Sequence, residues 1–268
     1  MAGQILGDRY QVERQLNKQA GRWTLLGRDL TSQQWVVLKL LFVDDQLIPS
    51  DLKQFDREMH ALQALSHPCI PQYLGYFEHE LPMGKAIVLV QDYVPGNSLQ
   101  DLLQMGRTFT EPEAKQLATV LLKVLAYLHR QTPPMIHRDL KPGNIVLADR
   151  RPHLVDFGSV KMMIGAERSA FSIVGTDGYM PPEQFSGRAV MASDLYGLGS
   201  TIVHLVTGQL PSTLPRKQGQ LQLQEVIDLS PAFTDWLQWM TEMSLDRRLQ
   251  TAEEALLVLN TGQVRGML

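Results

Sequence analysis

The segment at residues 136–147, IHRDLKPGNIVL, concentrates chemically capable groups within a short part of the 268-residue chain. A histidine, two cations, a carboxylate and an amide precede an apolar run, and Pro142 with Gly143 indicates a turn. The segment could be no more than a polar turn leading into a strand. It could also be a catalytic loop in which Asp139 and Asn144 face one point. This segment alone leaves both interpretations open.

Asp156 supplies a second acidic group, 12 residues after Asn144 (156 − 144), and ends a short apolar stretch. Gly158 follows it closely and permits a sharp change of chain direction. Twelve residues are the length of a hairpin, so the two oxygen-bearing side chains can meet at one hard cation. Magnesium suits such a pair, because it takes one or two protein oxygens together with phosphates and waters. Taken alone, Asp-Phe-Gly at a strand end is more often a turn than a metal site.

Lys39 interrupts an otherwise apolar run, WVVLKLLFV, at residues 35–43. A lone lysine in such a strand usually extends its ammonium group to water. Glu58, however, lies beside the apolar flank of the next predicted helix, and a buried carboxylate requires a cation. We therefore expect Lys39 to pair with Glu58, while a solvated glutamate at the helix edge remains the alternative.

The elements that must position these residues can be read from periodicity. Apolar runs predict buried strands at residues 35–43 and 86–94, and residues 153–157 are also strand-like. Helices are predicted at residues 50–65, from the capping box Thr110/Glu113, at Ser193 or Asp194, at Ser230-Pro231, and from Thr251/Glu254. A small strand-rich part followed by a large helical part is an α+β arrangement, and a cleft between two lobes is the default place for a ligand.

Composition excludes several classes of protein. The chain is 44% hydrophobic, and its 25 Lys plus Arg against 28 Asp plus Glu give a net charge of −3. The balance argues against nucleic-acid or anionic-membrane partners. One cysteine, Cys69, excludes an internal disulfide framework and fits a reducing compartment. The N-terminus is unlike a signal peptide and no stretch is long enough to span a bilayer, so we expect a cytoplasmic protein.

Five segments carry a resemblance: VVLK (36–39), Glu58, HRDLKPGN (137–144), DFG (156–158) and GTDGYMPPEQ (175–184), in this order and at compatible spacing. Over essentially its whole length the chain resembles a eukaryotic-type protein kinase catalytic domain of the bacterial serine/threonine branch. The resemblance implies a bilobal fold made of a single domain, residues 1–268, with an N-lobe at about 1–93 and a C-lobe at about 97–268. It also implies transfer of the ATP γ-phosphate to serine or threonine hydroxyls of proteins, with autophosphorylation.

The resemblance assigns roles residue by residue. Asp139 would accept or orient the substrate hydroxyl proton, and Lys141 would steady the transferring phosphoryl group. Asn144 and Asp156 would hold Mg²⁺, or Mn²⁺ in its place. Lys39, tethered to Glu58, would contact the ATP phosphates. The other nucleotide-binding positions implied are Leu16, Thr24, Val37, Asp92, Val94 and Val146, with Gln91 just before the adenine-binding hinge; core packing explains Val37 and Val146 equally well.

Supporting roles are also implied. Asp194 would hold the backbone of the catalytic loop, although aspartate is also a common helix cap. Glu183 and Arg248 would form a long-range ion pair, with surface charges as the alternative. Arg138 would pair with a phosphorylated activation segment, for which the candidate acceptors are Ser169, Ser172 and Thr176. The implied partners are protein substrates and a second copy of the chain during autophosphorylation.

One motif departs from the family pattern. The phosphate-covering loop G-x-G-x-x-G-x-V aligns with NKQAGRWT, residues 17–24, where Asn17, Gln19 and Arg22 replace the three glycines. Non-glycine residues forced into a left-handed conformation would cost about 1–2 kcal/mol each. Arg22 could add charge near the γ-phosphate or obstruct the nucleotide. A pseudokinase scaffold is therefore a second hypothesis. A small-molecule phosphotransferase is a third, against which the peptide-docking segment at 175–184 argues.

Overall fold

The computed structural model describes residues 1–43, 47–82, 84–163 and 175–262. The chain divides into two compact units, Met1–Pro95 and Gly96–Leu268. The first unit is rich in strands and the second is mostly helical, which agrees with the predicted α+β class. Within the described ranges, no helix is both long enough and apolar enough to cross a membrane.

The first unit is built on an antiparallel sheet flanked by one long helix. The strands are β1 (Ile5–Leu6), β2 (Tyr10–Gln19), β3 (Arg22–Asp29), β4 (Trp35–Val43), β5 (Tyr73–Leu81) and β6 (Gly84–Asp92). They lie in the sheet in the order β1-β2-β3-β4-β6-β5. Helix α1 spans Pro49–Ala64.

The two faces of this sheet have different environments. Alternate side chains on one face form a closed apolar core that includes Leu25, Leu38 and Val88. The intervening positions point to the opposite face, because successive side chains of a strand alternate. Register places Thr24 beside Lys39 and Leu26 beside Val37, so these side chains share that second face. The face that carries Lys39 is thus separate from the apolar core.

The strand prediction at residues 35–43 is confirmed, but the second strand is shifted from the predicted 86–94. Strand β6 begins at Gly84 and ends at Asp92, which leaves Tyr93 and Val94 outside it. Its neighbour β4 begins at Trp35, and Val36 is the partner of Asp92. One further backbone bond, from Tyr93 N to Trp35 O at 3.4 Å, closes the ladder. The strand therefore ends where its partner strand begins.

The second unit places small sheets around packed helices. The helices are α2 (Leu99–Gln104), α3 (Glu111–His129), α4 (Pro182–Phe185), α5 (Met191–Thr207), α6 (Pro231–Met240) and α7 (Ala252–Thr261). The strands are β7 (Asn97–Ser98), β8 (Met135–Ile136), β9 (Ile145–Ala148), β10 (Arg151–Leu154), β11 (Lys161–Met162), β12 (Arg216–Lys217) and β13 (Gln220–Leu221). Helix α5 is buried along nearly its whole length and packs against α3, α6 and α7.

Most predicted helix starts are confirmed. Glu113 accepts the Thr110 backbone N–H at 2.9 Å, as a capping box requires. Ser230 and Thr251 cap α6 and α7. The predicted start of α5 at Ser193 or Asp194 is wrong, since the helix begins at Met191 after the N-cap Val190. Ser193 Oγ accepts the Val190 N–H at 3.1 Å, so Ser193 is the back-bonding residue of the first turn rather than the cap.

Strands β9 and β10 form the hairpin that the spacing of Asn144 and Asp156 predicts. Ile145 pairs with Leu154, and the turn residues Asp149 and Arg150 have φ of +48° and +62°. Strand β10 ends at Leu154, so the strand-like prediction over 153–157 extends too far. The backbone leaves the extended region there, because Asp156 has φ of +68°.

Candidate active site

The predicted pair in the first unit is present. Lys39 Nζ forms a hydrogen-bonded ion pair with Glu58 Oε1. The lysine and glutamate side chains are 16% and 8% exposed. Helix α1 buries Phe55, Glu58, Ala61 and Leu62 along one stripe, which explains why Glu58 points inward. A carboxylate so far from water needs a cation, and Lys39 supplies it.

The sheet face around Lys39 has the composition of a ligand site. Thr24 and Leu89 flank Lys39 on the neighbouring strands. Val37 is buried on the same face, beside Gln91. Gln91 Oε1 is buried with no hydrogen-bond partner among the described residues. A mainly apolar surface that carries an ammonium group and an unsatisfied buried acceptor is typical of a small-molecule site.

The remaining predicted nucleotide positions of the first unit differ in their surroundings. Leu16 is 36% exposed and lies at a register shift in β2, between Gln15 and Asn17. The Asp92 carboxylate accepts a hydrogen bond from the Gln72 backbone N–H. Any hinge role of Asp92 would therefore use its main chain, as the resemblance implies. Val94 is half-buried in the extended segment after β6.

The loop that departs from the family pattern is a tight hairpin turn. Gln19 pairs with Arg22 across Ala20 and Gly21, and Gly21 has φ of +70°. Asn17 and Gln19 are strand residues without positive φ, so the left-handed strain expected for them is not found. Arg22 donates to Asp51 and, at 2.7 Å, to Gln54, both on α1. Its guanidinium group is held by that helix.

In the second unit, Asp139 is the centre of a compact polar cluster. Its Oδ2 lies 2.8 Å from Lys141 Nζ and accepts Asn144 Nδ2 at 3.0 Å. Its Oδ1 accepts the Thr176 hydroxyl at 2.8 Å, and Lys141 donates to that same hydroxyl oxygen at 2.7 Å. The Asp139 side chain is only 12% exposed. Three side chains therefore orient this carboxylate, and a small part of it stays exposed.

Asn144 and Asp156 are brought together by the β9–β10 hairpin. Val155 N donates to Asn144 O at 2.9 Å, which places Asp156 one residue beyond the partner of Asn144. The Asn144 amide nitrogen donates to Asp139 O at 2.8 Å as well as to Asp139 Oδ2, so any metal contact of this side chain would use its carbonyl oxygen. No group of three His, Cys, Asp or Glu side chains suited to a metal occurs in the described ranges. One amide and one carboxylate oxygen fit magnesium, which keeps waters and phosphates as its other ligands.

Asp194 holds the backbone of the loop that carries Asp139. Its carboxylate accepts the His137 N–H at 2.9 Å and the Arg138 N–H at 2.8 Å. It also contacts His129 Nε2 at 3.0 Å. Asp194 is 1% exposed and lies inside α5, so it is not a helix cap. These contacts fix a loop in which Arg138 has φ of +69°.

The segment around Asp156 is packed against the same loop. Phe157 is fully buried and meets His137 edge-to-face, with ring centroids 5.2 Å apart. Burial is the main cause that lowers the pKa of His137, although the neighbouring carboxylates of Asp194, Asp139 and Asp156 oppose it. A neutral His137 gives this part of the core an uncharged ring. Gly158 N donates to Asp156 Oδ1 at 3.3 Å, which supports the left-handed turn at Asp156.

The predicted ion pair between Glu183 and Arg248 is also found, whereas the predicted pairing of Arg138 with a phosphorylated activation segment stays a prediction. Arg248 donates to both oxygens of Glu183, at 2.6 and 3.1 Å. Burial works against ionisation of Glu183, but the hydrogen bonds and charge of Arg248 outweigh it and lower the pKa of this carboxyl. Arg138 Nε donates to Ser159 O at 2.5 Å, just after the DFG segment. The surface-charge alternative for Glu183 and Arg248 is therefore wrong.

The remaining predicted site residues are the candidate phosphate acceptors and Val146. Ser169 and Ser172 lie outside the described residues. Val146 is half-buried on β9. Thr176, expected as an acceptor in the activation segment, has its hydroxyl engaged with Asp139 and Lys141. The sequence reasoning missed His129, whose only signal was its place in the last turn of α3.

Comparisons with known proteins agree with this geometry. The family model described as the protein kinase domain matches residues 21–258. Serine/threonine-protein kinase B of Synechocystis sp. is 35% identical over 80% of this chain and 39% of its own length. Serine/threonine-protein kinase PknA of Nostoc sp. is 31% identical over 97% of this chain and 48% of its own length.

Serine/threonine-protein kinase PknB of Mycobacterium tuberculosis is 32% identical over 78% of this chain and 34% of its own length. The chain therefore spans about half or less of the length of these relatives. The family match nevertheless covers most of the chain, from the end of the β2–β3 turn into α7. By its motifs, its fold and these matches, the chain belongs to the protein kinase domain family.

Proposed function

We propose that this chain is a serine/threonine protein kinase that transfers the ATP γ-phosphate to hydroxyl groups of proteins. The observation that carries the proposal is the Asp139 carboxylate, oriented by Lys141, Asn144 and Thr176 and only 12% exposed. The printed names of the relatives, all serine/threonine-protein kinases, support the same reaction.

Asp139 accepts the proton of the acceptor hydroxyl as the new oxygen–phosphorus bond forms and the bond to the ADP leaving group breaks. Lys141 places positive charge beside the phosphoryl group in transit. Asn144 and Asp156 would hold Mg²⁺, or Mn²⁺ in its place, and the bound ion would neutralise negative charge on the phosphates. Little covalent chemistry is asked of the protein, so positioned charge accounts for most of the rate enhancement.

In the first unit, Lys39 binds the α- and β-phosphates, and Glu58 keeps the ammonium group in place. Leu16, Thr24 and Val37 line the nucleotide from the sheet, and Asp92 and Val94 offer main-chain groups to adenine. Val146 of the second unit is a further position that the resemblance assigns to nucleotide binding. The unsatisfied Gln91 Oε1 on the Lys39 face supports a ligand there that can donate a hydrogen bond.

The altered phosphate loop does not favour the scaffold hypothesis. Its hairpin forms with Gly21 alone in a positive-φ conformation, and backbone N–H groups remain the donors whatever the side chains are. Protein substrates, a cytoplasmic location and autophosphorylation within the segment that contains Ser169 and Ser172 belong to the same proposal.

The test is phosphate transfer from radiolabelled ATP to casein and to the chain itself, with Mg²⁺, with Mn²⁺ and with EDTA. Label should require a metal and fall by about 100- to 10,000-fold in Asp139→Asn, the range for loss of a general base. Asp149→Asn, an exposed aspartate in the hairpin turn, is the matched control and should retain full transfer. Absence of label from the wild type with either metal would favour the scaffold hypothesis.

A further inference from the structure

Gln184 makes a buried contact that links two parts of the second unit. It lies on the short helix α4, is 2% exposed, and its Nε2 donates to the Arg138 carbonyl oxygen at 2.6 Å. The two residues are 46 positions apart in the sequence. A glutamine this deeply buried requires polar partners, and one of them here is Arg138, the residue before Asp139.

The carbonyl group that accepts from Gln184 is part of the peptide bond that leads into Asp139. The Arg138 carbonyl and the Asp139 N–H belong to one rigid peptide plane. Gln184 holds the oxygen side of this plane, while the Asp139 N–H is directed at His137 Nδ1 at 3.4 Å. Arg138 N donates to Asp194 Oδ1 at 2.8 Å on the preceding plane. Because Arg138 has φ of +69°, the loop is not held by regular hydrogen bonding and depends on such contacts.

The docking segment leaves room for this amide. A Cβ built on Gly175 would come within 2.7 Å of Gln184 Nε2 and 2.8 Å of Met180 Sδ. Gly175 is followed by Thr176, whose hydroxyl contacts Asp139. Gln184 and Thr176 therefore approach the catalytic loop from the same segment, one at the backbone and one at the carboxylate.

We propose that Gln184 is a positioning residue for Asp139. Its amide fixes the peptide plane between Arg138 and Asp139, and thereby couples the docking segment (175–184) to phosphate transfer. The inference rests on the proposed kinase function. A merely structural role, in which the amide only satisfies a buried carbonyl, predicts a loss of stability without a specific loss of kcat.

The experiment compares Gln184→Met, which keeps the size and removes the donor, with Gln184→Glu, which can donate only when protonated. The matched control is Gln238→Met, because Gln238 is half-buried and its Nε2 donates to the Leu221 carbonyl at 2.8 Å, away from the catalytic loop. Phosphate transfer to casein is measured at several pH values, always well below each variant's thermal midpoint at that pH.

We expect kcat of Gln184→Met to fall roughly 10- to 100-fold at every pH, with KM for ATP unchanged, since small misplacements of a catalytic group have effects of this size. The activity of Gln184→Glu relative to wild type should rise as the pH falls, because the introduced carboxyl gains its proton. The charged residues Arg138, Asp139 and Asp194 line the same site in both proteins, so the ratio to wild type isolates the effect of the carboxyl introduced at position 184.

Wild-type kcat in Gln184→Met, or a ratio for Gln184→Glu that does not change with pH, would overturn the inference. An equal loss in Gln238→Met would also overturn it, because the effect would then be general. If Gln184→Met does not fold, the pH-dependent ratio of Gln184→Glu decides by itself. An inactive wild type would instead count against the kinase proposal, so the two failures are distinguishable.

Discussion

The charged groups of the two units are held in place in different ways. In Met1–Pro95, Lys39 and Glu58 stand on a regular strand and a regular helix, and the geometry of these elements directs both side chains. In Gly96–Leu268, the loop carrying Asp139 and the turn at Asp156 include positive-φ residues. Buried polar contacts such as those of Asp194 hold that loop. In the first unit, the regular repeat of a strand and a helix sets the direction of the charged side chains. In the second unit, individual hydrogen bonds between residues far apart in the sequence hold the loop that carries the charged side chains.

Removal of one such contact in the second unit should have the largest effect on stability. Asp194→Ala leaves the His137 and Arg138 N–H groups and His129 without their carboxylate partner. We expect the free energy of unfolding to fall by about 3–5 kcal/mol. Urea denaturation measures this free energy of unfolding. The control is Asp56→Ala, because Asp56 lies on the exposed side of α1. A loss below about 1 kcal/mol would mean that other contacts hold the loop.

A comparable change in the first unit should affect transfer more than stability. Glu58→Gln keeps the shape of the side chain and removes the charge that holds Lys39. We expect kcat/KM to fall by roughly 10- to 100-fold, because the ammonium group is no longer fixed. The free energy of unfolding should fall by about 1–2 kcal/mol, less than in Asp194→Ala, because the introduced amide oxygen can still accept from Lys39 and the lysine is 16% exposed to water. Steady-state kinetics and urea denaturation together test this, and equal losses from Glu58→Gln and Asp194→Ala would contradict the distinction between the units.

The β2–β3 turn offers a test of local backbone strain alone. Gly21 has φ of +70°, and a Cβ added there would meet no atom within 4 Å. Gly21→Ala should therefore lower the free energy of unfolding by about 1–2 kcal/mol through the left-handed conformation only. Gly21→Asn should cost less, because asparagine tolerates this conformation. Equal thermal midpoints for the two variants would show that the turn changes its conformation.

The smallest expected effect is a change in pH dependence. Burial lowers the pKa of His204, whose Nδ1 lies 2.5 Å from the hydroxyl of Tyr179, and burial raises the pKa of Tyr179 to about 12. Below the ordinary histidine pKa of 6.5 the unfolded chain binds a proton that folded His204 resists, so stability falls with falling pH.

His204→Asn retains an acceptor for Tyr179 and removes this titration. The loss of unfolding free energy between about pH 8 and pH 5 should therefore be smaller in the variant than in the wild type, while buried His137 continues to contribute in both. Identical slopes would show that His204 already takes up its proton in the folded protein.

The contrast between the units also explains what the sequence could predict. Lys39 and Glu58 were found because one interrupts an apolar strand and the other lies beside an apolar helix stripe. The hairpin that joins Asn144 to the Asp156 turn followed from spacing. The contacts of Thr176, Gln184 and His129 could not be found this way, since they join residues 37, 46 and 65 positions apart through side chains with no periodic pattern.

The start of α5 and the end of β6 were missed for a related reason. A serine in the first turn of a helix can accept a hydrogen bond from the N-cap residue, and in the sequence such a serine resembles an N-cap itself. Ser193 is such a serine, because it accepts from the Val190 N–H. Strand β6 ends because its neighbour β4 begins at Trp35, which only the pairing register reveals. Residue types therefore predict which segments form helices and strands. The residues at which these elements begin and end depend on the strands and side chains that pair with them.

The alternation along β4 has an implication for how this chain can change in length. Leu38 and Leu40 enter the apolar core while Lys39 points to the other face, so inserting or deleting one residue before Lys39 would turn the lysine into the core. An insertion or deletion of one residue would be tolerated only when a second one nearby restores the alternation of side chains between the two faces of the sheet. Among natural variants, indels in this strand should therefore occur in compensating pairs or be confined to the turns on either side.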